Sequence, residues 1–359
     1  MEKTSMSKGE RRKRLSVPCE KLRLVLDTDA KNEIDDQFAI AWALKSTDRF
    51  EVEAVYAAPF SHDCLKAMFT GEKIEHAAGF TYAEAPGTGM EESYEEICKL
   101  YKLLGLSHEN KVFRGSASYI ADQGGAVESE AALDLVDRAM NGEGLLYVAA
   151  FGAITNIASA ILIKPEIVNK IVVVWLGGQP LYFDHALEFN LMQDVAASQV
   201  LFNSGVPLVY IPCMNVASLL AVTEDEVKRR LMGATEIGDY LGQNVLDAFT
   251  NPQAAIFAAA MYRKSYLLRR EDQDEEYLKQ FQSQHVACSR IIWDVATIAF
   301  LKNPTWAPST LEISPVLNDD LTWGEPDGSR HEIRVVNYCY RDLIFGDLFA
   351  CLTGNGESR

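Results

Sequence analysis

Apolar and polar positions alternate along most of the chain in the way that is typical of strands separated by helices. Short, mostly apolar runs predict strands at residues 24–26, 51–58, 145–151, 171–176 and 207–211, and stretches with apolar residues at helical spacing lie between them. Strands that are apolar along their length are buried on both faces, as in a parallel sheet. The pattern therefore predicts an α/β fold with a mostly parallel central sheet and helices on both faces.

The segments between and after these strands add mainly helices. A helix is predicted over 62–78, a loop rich in glycine and proline over 79–92, and a second helix over 93–104. Helices dominate from 222 to 290. Within that part, the charged run 269–284 is interpreted as a solvated helix face, with a partner-binding surface as the alternative.

The chain is predicted to form one domain. Residues 1–20 are basic and polar without an apolar core, which predicts a disordered tail and excludes a signal peptide in this stretch. No linker or low-complexity tract divides the rest of the sequence. We therefore predict a single domain over residues 21–355.

Composition excludes several classes of partner. The chain has 359 residues, a formal net charge of −17 and a pI near 4.8. Because a nucleic-acid surface requires a basic patch, we expect no nucleic-acid partner. The seven cysteines include no C-x-x-C pair and are interpreted as reduced thiols of a cytoplasmic protein. Residues 145–163 carry no charge, but Gly152, Thr155 and Asn156 interrupt them, so we predict a strand and a helix there and no membrane span.

Five acidic residues lie within ten positions at the end of the first predicted strand: Asp27, Asp29, Glu33, Asp35 and Asp36. Carboxylates held a few ångströms apart repel one another, so a proton or a cation must lie among them. Helix capping and the helix dipole explain one or two acidic residues at a helix start, but not five. Neighbours on a helix point about 100° apart, which allows one carboxylate to bind a metal and the next a water or substrate. The crowding predicts a metal site.

With these elements placed, the chain resembles the inosine-uridine nucleoside hydrolase family at four motifs. The motifs stand in the family's order over about residues 22–305 and are specific when taken together. They are Asp29 with Asp35-Asp36, the loop from Phe151 to Ala158, the segment Gly177-Gly178 to Glu188-Phe189-Asn190 and Asp194, and the pair Trp293-Asp294. The resemblance implies a Rossmann-like open sheet with extra helices near the active site.

The resemblance also implies a set of metal ligands and a catalytic residue. Asp29, Asp36 and Asp294 would hold a calcium ion together with a backbone carbonyl at the end of the 145–151 strand, that of Phe151. Such a shell of oxygen ligands is what a hard cation prefers. Asp35 would be the general base that activates a water molecule.

Two further residues would act on the sugar. Glu188 and Asn190 are implied to bind the ribose and to stabilise positive charge as it develops there. The implied reaction is calcium-dependent hydrolysis of the N-glycosidic bond of ribonucleosides to ribose and the free base. The implied partners are a small nucleoside substrate and further copies of the chain in a homodimer or homotetramer.

The sequence departs from the family pattern at the sugar-binding positions. Five residues separate Asp29 from the Asp35-Asp36 pair where the family usually has three, so Asn32 and Glu33 have no counterpart. Asn32 is a candidate to enter the site, with a longer loop as the alternative. Pro59-Phe60 stand where the family has a ribose-binding asparagine. A second such asparagine, upstream of Glu188, is also missing, and His185 either takes over a hydroxyl contact or packs in its loop.

Position 293 bears on the leaving base. Many members of the family carry a histidine just before the late aspartate, whereas purine-preferring members have a tryptophan, as this chain does. Stacking of an aromatic ring on a base contributes about 1–3 kcal/mol, which would help the base to leave. Trp293 therefore favours purine nucleosides, and a tryptophan packed in the core is the alternative.

Three other functions are compatible with parts of the sequence. Leu24 to Asp29 also resembles the strand and Asp-x-Asp of a haloacid-dehalogenase-type phosphohydrolase, although the Asp35-Asp36 pair has no role in that scheme. The altered sugar positions allow a member that binds a ribosyl ligand without hydrolysing it. They also allow a hydrolase of another ribosyl compound.

Overall fold

Eight strands form the central sheet of the protein, whose computed structural model describes residues 6–62, 82–250 and 289–354. The strand order is β3-β2-β1-β4-β5-β6-β12-β9, and every neighbouring pair is parallel except β12 with β9. The predicted fold class is therefore confirmed. The strands of this sheet are β1 (Leu22–Thr28), β2 (Phe50–Ala57), β3 (Val112–Arg114), β4 (Leu146–Phe151), β5 (Ile171–Leu176), β6 (Leu208–Ile211), β9 (Ser309–Ile313) and β12 (Glu332–Val336).

Two short antiparallel ribbons accompany the sheet. One pairs β7 (Ala221–Thr223) with β8 (Ser289–Ile291), and the other pairs β10 (Val316–Leu317) with β11 (Trp323–Gly324). The first ribbon matters for the site, because β8 leads directly to Asp294.

Helices cover both faces of the sheet. In the described ranges they are α1 (Lys8–Arg14), α2 (Asp36–Lys45), α3 (Pro86–Leu103), α4 (Ile120–Gln123), α5 (Glu130–Asn141), α6 (Thr155–Ile163), α7 (Phe189–Gln193), α8 (Val195–Asn203), α9 (Glu224–Arg230), α10 (Glu236–Thr250), α11 (Val295–Lys302) and α12 (Arg341–Thr353). Short 3₁₀ segments occur at Pro165–Asn169, Ala217–Leu219 and Pro304–Trp306. None of the helices in these ranges combines the length and apolarity that a bilayer crossing requires.

The inner strands bury side chains on both faces, as their apolar sequences predict. On β1, Leu24 and Leu26 belong to one core cluster and Val25 to another on the opposite face. On β4, Tyr147 and Val148 divide in the same way. Two apolar layers therefore enclose the sheet.

The basic tail is ordered where helix α1 forms, so the predicted disorder over residues 1–20 is wrong for residues 8–14. The hydroxyl of Ser7 caps this helix, and the buried Arg11 donates from Nη1 to the carbonyl of Gly205 at 2.7 Å. Arg12 forms a two-pronged ion pair with Glu332 on β12. The basic residues thus bind specific acceptors on the body of the protein.

The predicted loop over 79–92 is wrong from residue 86 onward, because α3 begins at Pro86 and extends the predicted helix 93–104. Proline is favoured in the first turn of a helix, where its missing N–H costs nothing. The predicted helix over 62–78 and the charged run 269–284 lie outside the described residues, apart from His62. The domain limits 21–355 stay a prediction.

The order of the strands determines where a ligand would bind. From β1 the chain proceeds outward through β2 to β3, whereas β4, β5 and β6 proceed in the opposite direction. The switch between these directions lies between β1 and β4. In open α/β sheets, ligands bind in the crevice outside the carboxyl ends of strands at such a switch point.

Candidate active site

Asp29 follows β1 directly and lies against Gly152, which follows β4. A side-chain carbon built on Gly152 would lie 3.0 Å from the backbone nitrogen of Asp29, so only glycine permits this approach without a shift. Asp29 is 2% exposed, and its Oδ2 is buried without a hydrogen-bond partner in the described part of the chain. The first acidic side chain thus lies at the switch point with one acceptor atom available.

Two helices begin at the same place, and each has an aspartate at its start that does not cap it. Asp35 occupies the N-cap position of α2 and Asp294 that of α11, and neither side chain makes a capping hydrogen bond. Instead, Oδ2 of Asp35 accepts a hydrogen bond from the backbone N–H of Trp293 at 2.9 Å. Helix capping therefore does not explain these two carboxylates.

Asp36 completes a tight cluster. Its Oδ1 accepts a hydrogen bond from the hydroxyl of Thr28 at 2.5 Å, which fixes the carboxylate over the end of β1. Carboxylate oxygens of Asp35, Asp36 and Asp294 all lie within 4.8 Å of one another. All three residues are buried. The structure therefore brings together the acidic residues that the sequence placed 258 positions apart.

Burial and mutual repulsion disfavour the charged forms of these groups. Burial, and then the neighbouring carboxylates, raises the pKa of Asp29, Asp36 and Asp294 well above its ordinary value. The pKa of Asp35 rises to about 6, through burial first and the charge of Glu33 second. A group of buried acids in this state takes up protons or binds a cation. Its oxygen-only donor set, with the free Oδ2 of Asp29, fits a hard cation.

The two residues without a family counterpart connect the acidic loop to its surroundings. Oδ1 of Asn32 lies 3.1 Å from Nε2 of His62, which follows the exit of β2. Oε2 of Glu33 accepts from Nη2 of Arg290 on β8 at 2.6 Å, and both side chains are about one-seventh exposed. The longer loop is therefore tied to β8 on one side and to the segment after β2 on the other.

The ion pair between Glu33 and Arg290 is expected to contribute to stability. Glu33→Gln should lower the free energy of unfolding by roughly 1–3 kcal/mol, because it leaves a largely buried guanidinium without its charged partner. Denaturant unfolding measures this loss. The control is Glu224→Gln on α9, which removes an exposed pair with Lys228 and should change stability by less than about 0.5 kcal/mol.

The reversed pair tests whether charge pairing is the cause. The double variant Glu33→Arg with Arg290→Glu should recover part of the stability that either single reversal loses. Equal losses for Glu33→Gln and Glu224→Gln would contradict the assignment.

Glu188 holds the start of α7 and also lies near the acidic cluster. Its carboxylate accepts hydrogen bonds from the backbone N–H groups of Gly178, Asn190 and Leu191 at 2.7–3.1 Å. Burial raises its pKa, and its charge in turn disfavours ionisation of Asp29. The amide of Asn190 donates to the carbonyl of Leu176 at 3.1 Å. Both predicted sugar-binding residues therefore have structural hydrogen bonds at the carboxyl end of β5.

The other two predicted ligand contacts differ in their placement. Trp293 is half-buried, packs against a core cluster and donates its backbone N–H to Asp35, so it belongs to the site. His185 pairs across a β-bridge with Thr322, and its ring meets the edge of Phe183. These contacts of His185 support the loop-packing alternative.

Three residues near the carboxylates are absent from the sequence-based prediction. His62 and Arg290 contact the acidic loop, and the thiol of Cys213, which follows β6, lies beside Glu188. His62 and Cys213 come shortly after strands of the central sheet, and Arg290 lies in β8. Their position near strand ends is the only feature of the sequence that points to the site. A lone residue at such a position does not stand out without its partner.

An open, mostly parallel sheet with buried carboxylates at its switch point is an α/β arrangement that could hold a cation and a small ligand. The chain belongs to the inosine-uridine preferring nucleoside hydrolase family of N-glycosyl hydrolases, whose family model matches residues 24–339. The resemblance inferred from the four motifs is confirmed.

Curated relatives match over a limited part of the chain. A putative pyrimidine-specific ribonucleoside hydrolase RihB from Shigella boydii serotype 4 (strain Sb227) is 34% identical over 98 residues, which are 26% of this chain and 40% of the relative. The pyrimidine-specific ribonucleoside hydrolase RihB of Escherichia coli O1:K1 / APEC is 33% identical over 98 residues, 26% of this chain and 31% of the relative. The matches thus span less than half of these relatives.

Solved structures match over nearly the whole chain. A plant nucleoside hydrolase, the PpNRh1 enzyme, has a TM-score of 0.62 at 16% identity, and the match covers 92% of this chain and 99% of that one. A purine-preferring ribonucleoside hydrolase from Gardnerella vaginalis has a TM-score of 0.59 at 19% identity, with 92% and 98% covered. At these identities the comparison supports the fold.

Proposed function

We propose that this protein hydrolyses the N-glycosidic bond of a ribonucleoside and releases ribose and the free base. The observation that carries the proposal is the buried cluster of Asp35, Asp36 and Asp294 beside Asp29 at the switch point. A transition state with positive charge on the sugar is stabilised electrostatically by such carboxylates.

Within this proposal, Asp35 is the general base. The backbone N–H of Trp293 orients its carboxylate, and its pKa of about 6 leaves it ionised at neutral pH and able to accept a proton from water. Asp29, Asp36, Asp294 and the carbonyl of Phe151, the last residue of β4, are the proposed calcium ligands. A calcium ion there would supply positive charge that makes a nearby water more acidic and attracts the ribose hydroxyls.

The proposed contacts to the sugar are Asn32, Glu188 and Asn190. Glu188 and Asn190 are anchored at the carboxyl end of β5, and Asn32 belongs to the acidic loop itself. His185 stays in the proposal only as a secondary contact, because its ring packs against Phe183 and its backbone forms a β-bridge with Thr322.

The identity of the base is a finer part of the proposal. Trp293 favours a purine by stacking, and the Gardnerella vaginalis neighbour is named purine-preferring. The Shigella and Escherichia relatives are named pyrimidine-specific. We propose purine preference because Trp293 is adjacent to Asp294, a proposed calcium ligand, and contacts Asp35, the proposed general base.

The test measures ribose released from inosine, adenosine, guanosine, uridine and cytidine, with calcium present and after chelation with EGTA. We expect release that depends on calcium, with larger kcat/KM for the purine nucleosides. Calcium-dependent release led by uridine or cytidine would overturn the purine preference alone. No release from any of the five, with calcium still bound, would overturn the proposed reaction and favour a binding-only member or another ribosyl substrate.

The phosphohydrolase alternative is replaced by the family assignment. The phosphohydrolase interpretation depends on the Asp27-x-Asp29 pair. Asp27 is fully buried, and its Oδ1 accepts a hydrogen bond from the amide of Asn156 at 2.8 Å. That aspartate joins strands β1 and β2 through Asn156, which also donates to the carbonyl of Ala57.

We also propose that the protein is cytoplasmic, because its seven cysteines are scattered without a C-x-x-C pair. From the family resemblance we propose that it assembles as a homodimer or homotetramer. Light scattering of the purified protein measures the assembly. A monomer at micromolar concentration would contradict it.

A further inference from the structure

A buried histidine outside the predicted site contacts the acidic loop. His62 is 0% exposed and lies just after the exit of β2. Its ring stacks on Tyr82 and Phe189 with centroids 5.6 and 5.5 Å away, and it meets the edge of Phe60 at 5.7 Å. Three aromatic rings from three separate segments thus hold the imidazole in one orientation.

The hydrogen bonds of the ring determine its protonation. The backbone N–H of Ala83 donates to Nδ1 of His62 at 3.2 Å, so Nδ1 carries a lone pair. The proton of the neutral ring is then on Nε2, which lies 3.1 Å from Oδ1 of Asn32 and donates to it. His62 therefore fixes the orientation of the Asn32 amide. Its oxygen Oδ1 faces the imidazole, and its nitrogen Nδ2 points away from the imidazole.

Asn32 is the accessible member of the pair and lies close to the carboxylates. It is 6% exposed, whereas His62 is not exposed at all. Its backbone N–H donates to the carbonyl of Asp29 at 2.7 Å. An amide N–H donor in the loop that carries these carboxylates is suited to a hydroxyl group, which accepts through oxygen and donates through hydrogen.

We propose that His62 is a positioning residue that orients Asn32 so that its amide nitrogen donates a hydrogen bond to a ribosyl hydroxyl. This inference rests on the proposed function. It explains how a chain without an asparagine at Pro59-Phe60 retains an amide donor at the sugar: the donor comes from the lengthened acidic loop, and the segment after β2 supplies the group that orients it.

A double-mutant cycle tests the coupling. Asn32→Ala and His62→Leu should each lower kcat/KM for inosine by about 3- to 10-fold, the effect of one lost hydrogen bond. The double variant should be no worse than either single variant, because both substitutions abolish the same hydrogen bond from Asn32 to the sugar. His62→Gln retains an N–H that can reach Asn32 and should recover most of the activity that His62→Leu loses.

Deoxynucleosides identify the hydroxyl. Among 2′-, 3′- and 5′-deoxyinosine, one analogue should be cleaved equally well by the wild-type protein and by Asn32→Ala, because it lacks the hydroxyl that the amide contacts. The control is His331→Gln, which replaces a histidine at the amino end of β12, opposite the site, and should leave kcat/KM unchanged. Calcium affinity should be the same in all variants.

Additive losses in the double variant, or equal losses for His62→Gln and His62→Leu, would overturn the inference. Binding of D-ribose to the calcium-loaded protein, followed by saturation-transfer NMR, separates this result from failure of the proposed reaction. Ribose binding that is weakened by Asn32→Ala and His62→Leu, but not by His62→Gln, supports the positioning role even if no nucleoside is cleaved. Ribose binding that is unaffected by all three variants overturns it.

Discussion

Asp35→Asn is expected to lower the rate of ribose release by roughly 10²- to 10⁴-fold, the range typical for loss of a general base. An asparagine oxygen can still accept the hydrogen bond from the backbone N–H of Trp293, so the start of α2 should retain its conformation. The substitution removes the basic carboxylate and little else. The loss should therefore appear in kcat, with calcium affinity changed much less.

The pH dependence of the wild-type enzyme follows from the same residue. Burial and Glu33 raise the pKa of Asp35 to about 6, and a base acts only in its deprotonated form. In the absence of other limiting groups, kcat/KM should fall below about pH 6. A bound cation favours the carboxylate form and would move this limb to lower pH.

A surface aspartate provides the matched control. Asp225→Asn removes a carboxylate from an exposed ion pair with Arg229 on α9 and should leave turnover unchanged. If Asp35→Asn retained more than about one-tenth of the wild-type kcat, the base would have to be a different residue. Measuring both variants with saturating calcium separates a catalytic loss from a loss of metal.

The parts of the fold that could be predicted from the sequence are those that local pattern determines. Strand β1, the acidic loop and α2 follow from an apolar run, a polar loop and helical spacing within residues 22–45. For Asp294, which lies far along the chain, only the resemblance to a family motif predicts a position beside them, and no local rule does.

The errors arise where a residue serves a distant partner. Gly87 and Gly89 indicated a loop, yet both lie in α3, and a side-chain carbon on Gly89 would lie 2.1 Å from the carbonyl oxygen of Phe60. This glycine permits close packing of a helix on the segment after β2. Likewise, Arg11 in the supposed tail binds a carbonyl 194 positions away.

The same reason explains the gaps in the predicted site. His62 and Asn32 are 30 positions apart, and Glu33 and Arg290 are 257 apart. No sequence motif predicts either contact, and the role of each residue depends on its partner. Local patterns place carboxylates at the end of a strand, but the side chains that orient the acidic loop become visible only once the chain is folded.

The second large effect expected is a loss of stability with rising pH when divalent cations are removed. A carboxyl group whose pKa is higher in the folded than in the unfolded protein stabilises the fold while it is protonated. That contribution is complete below the unfolded value, near 3.8, and is lost as pH rises through the folded value. Asp27, with a pKa raised by burial to about 7, and the cluster of Asp29, Asp36 and Asp294 all act in this direction.

In EGTA, the free energy of unfolding should therefore decrease between pH 5 and pH 8. Each unit of difference between the folded and unfolded pKa corresponds to about 1.4 kcal/mol, so several buried acids together give a loss of a few kcal/mol or more. With millimolar calcium the decrease should be smaller, because an ion bound by the ionised carboxylates stabilises the folded state alone. Denaturant unfolding at a series of pH values measures both curves.

Asp27→Asn separates the two contributions to this pH dependence. Asp27 bonds to Asn156 and is not a proposed calcium ligand, so its removal should make the decrease shallower by a similar amount with and without calcium. Asp294→Asn should instead make the decrease shallower in EGTA and abolish most of the stabilisation by calcium. Stability in EGTA that is constant or rises from pH 5 to pH 8 would mean that the cluster is neutralised by contacts within the protein, and a cation would then not be needed to balance its charge.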